Sequence, residues 1–123
     1  MKTKLLFIFL FPLYVWGQDF VDGESLNNKT AKGITVVEFW AEWNSSNEVS
    51  FLNKLKDCKK YRLCIVSNSE AASNYKIFAI PTVIIFDNGE EVSRYNPNIL
   101  MQLTATREEV QENIDEIILK KFQ

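Results

Sequence analysis

Seven residues, Ile34 to Trp40, constrain this chain more than any other stretch. They are apolar except for Thr35 and Glu38, and they are rich in β-branched and aromatic side chains. A continuous run of that kind reads as a strand covered on both faces. Such a strand needs a layer above it and a layer below it. The run then passes through Ala41-Glu42-Trp43 into Asn44-Ser45-Ser46-Asn47, which reads as a turn and the start of a helix. Ser45-x-x-Glu48 has the spacing of a capping box, and Val49, Leu52 and Leu55 follow at helical spacing, so a helix is predicted from about Ser46 to Cys58.

The remaining elements supply those layers. A short strand or extended arm near Phe20 and one helical turn precede Gly33. Tyr61 to Val66 is predicted as a strand, and a loop and short helix should occupy Ser67 to Tyr75. Thr82 to Phe86 is a second apolar strand. Asn88-Gly89 follows it, and this dipeptide suits a hairpin turn whose two central residues need positive φ. Glu91 to Tyr95 pairs back, and Ile99 to Leu103 reads as a resumed edge. Thr106-x-x-Glu109 is a second capping box, opening a helix over about Arg107 to Lys121 whose apolar face holds Val110, Ile114, Ile117, Ile118 and Phe122. The fold class is α/β, with a mixed central sheet of four to five strands and helices on both faces.

Composition removes whole classes of function. The 123 residues suit one domain, and 46 % hydrophobic with 24 % charged residues reads as globular. Lysines and arginines are scattered and outnumbered, so nucleic acid is not a partner. There is no histidine, and two cysteines cannot fill a zinc shell, so neither a metal site nor a histidine-based triad is expected, and no cofactor is implied. Lys2 and Lys4 precede an apolar run from Leu5 to Trp16, which is short for a membrane span. Residues 1–17 read as a secretory signal peptide cut between Gly17 and Gln18, leaving a domain over 18–123 with no membrane anchor. The expected location is therefore exported, periplasmic or secreted. Cleavage removes two lysines and no acids, which leaves 12 basic and 16 acidic side chains.

Val37-Glu38-Phe39-Trp40-Ala41-Glu42-Trp43 and Ile80-Pro81-Thr82, at this separation and followed by Asn88-Gly89, resemble the thioredoxin family. The resemblance runs from about Ile34 to Phe122. It implies a thioredoxin-like fold, a cis bond before Pro81, and a groove for extended peptide beside Trp43, Ile80 and Pro81. It also places Asn44-Ser45-Ser46-Asn47 where the family carries Cys-Gly-Pro-Cys. Thiol–disulfide exchange needs an attacking thiolate and a second thiol to resolve the mixed disulfide, and asparagine supplies neither. Ser45 and Ser46 have no neighbouring base to activate them. Glu38 stands where the resemblance places a buried proton-shuttling aspartate. With no thiol to serve, Glu38 reads as a paired or partly hydrated acid. The family's helix N-terminus would remain as a donor of N–H groups to a carbonyl or weak anion.

Cys58 and Cys64 are the only cysteines. A structural disulfide, two separate thiols and a redox pair are all open, and the Cα separation decides among them. Asn28-Lys29-Thr30 and Asn44-Ser45-Ser46 match the glycosylation triplet and are read as unmodified. The preferred reading is an exported thioredoxin-like protein without thioredoxin catalysis, a binding or structural module for an extended peptide or envelope protein. The competing readings are a thiol oxidoreductase working through Cys58 and Cys64, and a scaffold with a vestigial active face.

Overall fold

A computed structural model describes residues 19–123; the signal-peptide reading of 1–17 lies outside the described residues. The elements in order are β1 (Asp19–Phe20), α1 (Leu26–Thr30), β2 (Ile34–Trp40), two short 3₁₀ turns (Glu42–Asn47 and Leu52–Lys54), β3 (Lys59–Cys64), α2 (Ser69–Asn74), β4 (Thr82–Asp87), β5 (Glu90–Tyr95) and α3 (Arg107–Lys120). They form one mixed five-stranded sheet in the order β1-β3-β2-β4-β5. β3 lies parallel to both β1 and β2, while β4 is antiparallel to β2 and to β5. The α/β class with a mixed sheet is the one the sequence implies. Among the described residues, no helix is long and apolar enough to cross a membrane.

Alternation along the central strands divides the core in two. Ile34 and Val36 of β2, with Val83 and Ile85 of β4, face Val49, Leu52 and Leu55 and the α3 residues Val110 and Ile114. Val37, Phe39, Ile84 and Phe86 face the other way, onto Val21, Leu26 and Ala71. Six of the seven β2 residues and five of the six β4 residues are buried, as strands covered on both faces require. The hairpin turn has positive φ at both Asn88 (52°) and Gly89 (89°). The Asn88 side chain also accepts from the Gly33 N–H at 2.7 Å, tying the turn to the entry of β2. The second capping box forms: Thr106 accepts from the Glu109 N–H at 3.2 Å, and Glu109 accepts from the Thr106 N–H at 2.8 Å.

Three expectations need correction. The helix over Ser46 to Cys58 does not form. The chain there makes two separate 3₁₀ turns, broken at Glu48 where the backbone is extended, and the Ser45–Glu48 box is absent. Val49, Leu52 and Leu55 recur every three residues, the period of a 3₁₀ turn, in which side chains three apart eclipse. Asn44, Ser45, Ser46, Asn47, Ser50 and Asn53 all compete with the backbone for its hydrogen bonds and weaken an α-helix. Residues Ile99 to Leu103 make a tight loop closed by one Pro97–Leu103 bridge instead of an edge strand. Phe122 lies past the end of α3 and is exposed, outside the helix's apolar face.

Candidate functional site

The parallel strands bring their C-terminal ends to one end of the sheet, and the antiparallel β4 begins there. Ala41, fully buried and extended, carries β2 into the Glu42–Asn47 turn. Asn44 breaks the helical path at φ −115°, ψ 26°, which turns its side chain inward. Its amide nitrogen donates to the Met101 carbonyl at 3.2 Å, and its oxygen accepts from the Asn47 amide at 2.9 Å. The two amides thus bond to each other and pin the turn to the loop before α3. Ser45 and Ser46 are exposed, and Trp43 projects into solvent with 64 % of its surface free. No α-helix starts here, so the helix-end N–H groups expected at this turn are not present as a donor set.

Ile80 and Pro81 stand beside the same turn, because Thr82 lies opposite Phe39 in the β2–β4 register. The Ile80–Pro81 bond is cis. Both side chains are buried, so they shape the end of the sheet without presenting a surface to a ligand. The large apolar residue exposed just before that segment is Phe78, which is 91 % free. Ile99 and Leu100, 96 % and 67 % free, stand on the loop that Asn44 holds. None of these three was signalled by spacing, since an apolar residue reads as core until its neighbours are known.

Glu38 is fully buried on the α3 side of β2. Arg62, its register partner on β3, donates from Nε to Glu38 Oε1 at 2.9 Å. The other carboxylate oxygen accepts from the Val49 N–H at 3.0 Å, and Arg62 Nη2 donates to the Val49 carbonyl at 3.2 Å. Glu48 adds a longer contact to Arg62 at 3.7 Å. The buried pair therefore satisfies both backbone groups of Val49, where a helix would have used its own ladder. Burial raises the Glu38 carboxyl above the ordinary glutamate range, against the opposing pull of the Val49 N–H and of Arg62. The signal for this partner was available: Arg62 is the one cation in the run from Tyr61 to Val66, and a buried acid needs one.

The cysteines do not come together. Both thiols are free. Cys58 precedes β3 and Cys64 ends it, so six residue steps along the strand separate them by about 20 Å, far beyond the ~7 Å limit for a bridge. A disulfide or internal redox pair between them is therefore ruled out. Cys58 packs against the α3-side core, and burial pushes its thiol up to about 11. Burial also raises Cys64, but hydrogen bonds from Ser67, Val66 and Glu42 outweigh it and leave that thiol below its ordinary value. Among the described residues no cluster of acids and thiols could hold a metal ion.

No family model matches the chain. Individual proteins do. Thioredoxin of Staphylococcus epidermidis is 30 % identical over 81 residues, covering 60 % of this chain and 78 % of that protein. Thioredoxin of Chlamydia pneumoniae is 29 % identical over 80 residues, with the same coverage of 60 % and 78 %. Among solved structures, a designed protein superposes with a TM-score of 0.67 at 22 % identity, over 84 % of this chain and 99 % of its own. A point mutant of thioredoxin from Halobacterium salinarum superposes with a TM-score of 0.63 at 21 % identity, over 80 % of this chain and 88 % of its own. The two structures establish likeness of fold.

Proposed function

Because the chain belongs to the thioredoxin-like family yet carries no thiol in the turn after β2, we propose that it is an exported, non-catalytic binding module. Its ligand is an extended segment of another exported protein, engaged at the end of the sheet that carries Trp43. The observation that carries this reading is the Asn44–Asn47 hydrogen bond of 2.9 Å, with Asn44 also spent on Met101. Those amides hold a recognition surface in shape, and neither can attack a disulfide or resolve one. Cys64, the half-exposed thiol, has no second thiol within reach in the same chain.

The test is reduction of a small disulfide-bonded protein with dithiothreitol as electron donor. Catalytic rates should equal the uncatalysed background, and Cys64→Ser should leave them unchanged. A rate well above background that disappears in Cys64→Ser would overturn the non-catalytic reading. Export is tested separately, by fractionating cells that express the full chain and sequencing the mature N-terminus.

A further inference from the structure

We propose that the end of the sheet carrying Trp43 receives an extended protein segment that combines apolar with basic side chains, its basic end lying toward α2. This rests on the binding-module reading above and names the chemistry of its partner. Four connections converge at that end. β3 ends with Cys64 opposite Trp40, which puts Val66 beside the turn bearing Trp43. Phe78 precedes Pro81 on the β4 side, and Ile99 and Leu100 follow β5.

In strand order, β3-β2-β4-β5, the connections at this end stand in a row, and they carry Val66, Trp43, Phe78, then Ile99 and Leu100, each at least 64 % exposed. Strands about 4.8 Å apart make such a row roughly 15 Å long, the reach of about five extended residues. Side chains this large and this open offer on the order of 100–200 Å² each, and large apolar residues exposed together at one end of a sheet are the kind of surface that a partner covers.

The far end of the row is held firmly. Asn98 Oδ1 accepts from the Leu100 N–H at 2.9 Å and the Gln102 N–H at 3.0 Å, while the Asn98 N–H donates to the Gln102 carbonyl at 2.9 Å. Ile99 and Leu100 are therefore fixed in water rather than free to fold away.

Charge gives the row a direction. Beyond Val66 it opens into a cleft lined, among the described residues, by Asp22, Glu24 and Glu70 with Asn and Ser side chains, and by no lysine or arginine. Glu42 adds an exposed carboxylate next to Trp43. A lysine or arginine at the segment's α2 end would meet these groups, and an acidic one would be repelled. A second copy of this chain, with net charge −2, would bring the same acidic rim, so a different protein is the better match.

The test uses the full chain and three labelled nine-residue peptides in fluorescence anisotropy: alternating Leu/Lys, alternating Leu/Glu and alternating Ser/Lys. Leu/Lys should bind at least about tenfold more tightly than either other peptide, with affinity falling as salt rises. Ile99→Asp, at a fully exposed position, should weaken Leu/Lys binding about tenfold without altering the far-ultraviolet spectrum. Glu24→Lys with Glu70→Lys should reverse the preference between Leu/Lys and Leu/Glu. If Leu/Lys and Leu/Glu bind alike and Ile99→Asp weakens both, the basic chemistry is wrong and the binding face stands. If no peptide responds to Ile99→Asp, the face itself is refuted. A dimer of the chain alone that Ile99→Asp dissolves would assign the face to a second copy and overturn the proposal.

Discussion

Replacing Arg62 by methionine isolates the buried pair under the 3₁₀ segment. Methionine keeps the apolar stem and removes the charge. Glu38 would then sit at zero exposure with only the Val49 N–H as partner, and the Val49 carbonyl would lose its donor. Breaking one side of a buried ion pair costs about 3–5 kcal/mol, a large share of the ~5–15 kcal/mol that holds a domain of this size. The cost should depend on pH in a defined direction. Glu38 is already raised by burial in the native protein, so the folded state keeps its proton to higher pH than the unfolded chain does. Its contribution to stability therefore falls as pH rises from the unfolded glutamate value, about 4.3, through the folded one. Without Arg62 that window extends upward toward neutrality. Lowering the pH from 7 to 5 lets the variant neutralise Glu38, which recovers at most about 1.4 kcal/mol per pH unit. Urea titrations of both proteins at the two pH values measure this. The deficit of Arg62→Met should shrink by roughly 1–3 kcal/mol at pH 5, with similar m-values. A deficit below about 1 kcal/mol at pH 7, or one that is equal at both pH values, would refute the role given to the pair.

Two further outcomes follow from the site. Asn44→Ala removes the bonds to Met101 and Asn47 together, and should cost about 1–3 kcal/mol in the same titration while loosening the loop that presents Ile99. With iodoacetamide near pH 8, Cys64 should be alkylated well before Cys58, because one thiol lies below its ordinary value and the other is pushed up to about 11; intact mass without reductant should show both thiols reduced.

Much of the frame was legible because it rests on local rules. The β2 and β4 runs are apolar on both faces, Asn88-Gly89 has the φ angles its turn needs, and Thr106–Glu109 closes as a capping box. The segment after Asn44 was not legible in the same way. Serine at 45 and glutamate at 48 match a helix start, but the apolar period is three and the residues between are poor helix formers. What tips the balance is tertiary: the Arg62–Glu38 pair reaches Val49 from two neighbouring strands and satisfies its backbone groups outside any helix. Those two residues are 24 positions apart, and only the parallel register of β2 and β3 makes them neighbours. The exposure of Phe78 and Ile99 is tertiary too, since an apolar run such as Ile99 to Leu103 reads as an edge strand.

The same loss of helix limits what can be restored at positions 44 and 47. A thiol there would ordinarily be activated by the N-terminus of an α-helix, which lowers its pKa by presenting several aligned N–H groups. Here six residues of kinked 3₁₀ turn end at Glu48, whose backbone is already extended. Asn44 is only 8 % exposed, so a thiol in its place would be desolvated, and the buried guanidinium of Arg62 is spent on Glu38 and the Val49 carbonyl. Asn44→Cys with Asn47→Cys, made in a background with Cys58→Ser and Cys64→Ser, should therefore give a thiol at position 44 that titrates at or above the ordinary value of about 8.5. Thiolate absorbance against pH measures it. A pKa below about 7 would mean that the turn still carries an activating field, and that the sequence at 44 and 47 alone keeps this chain from redox chemistry.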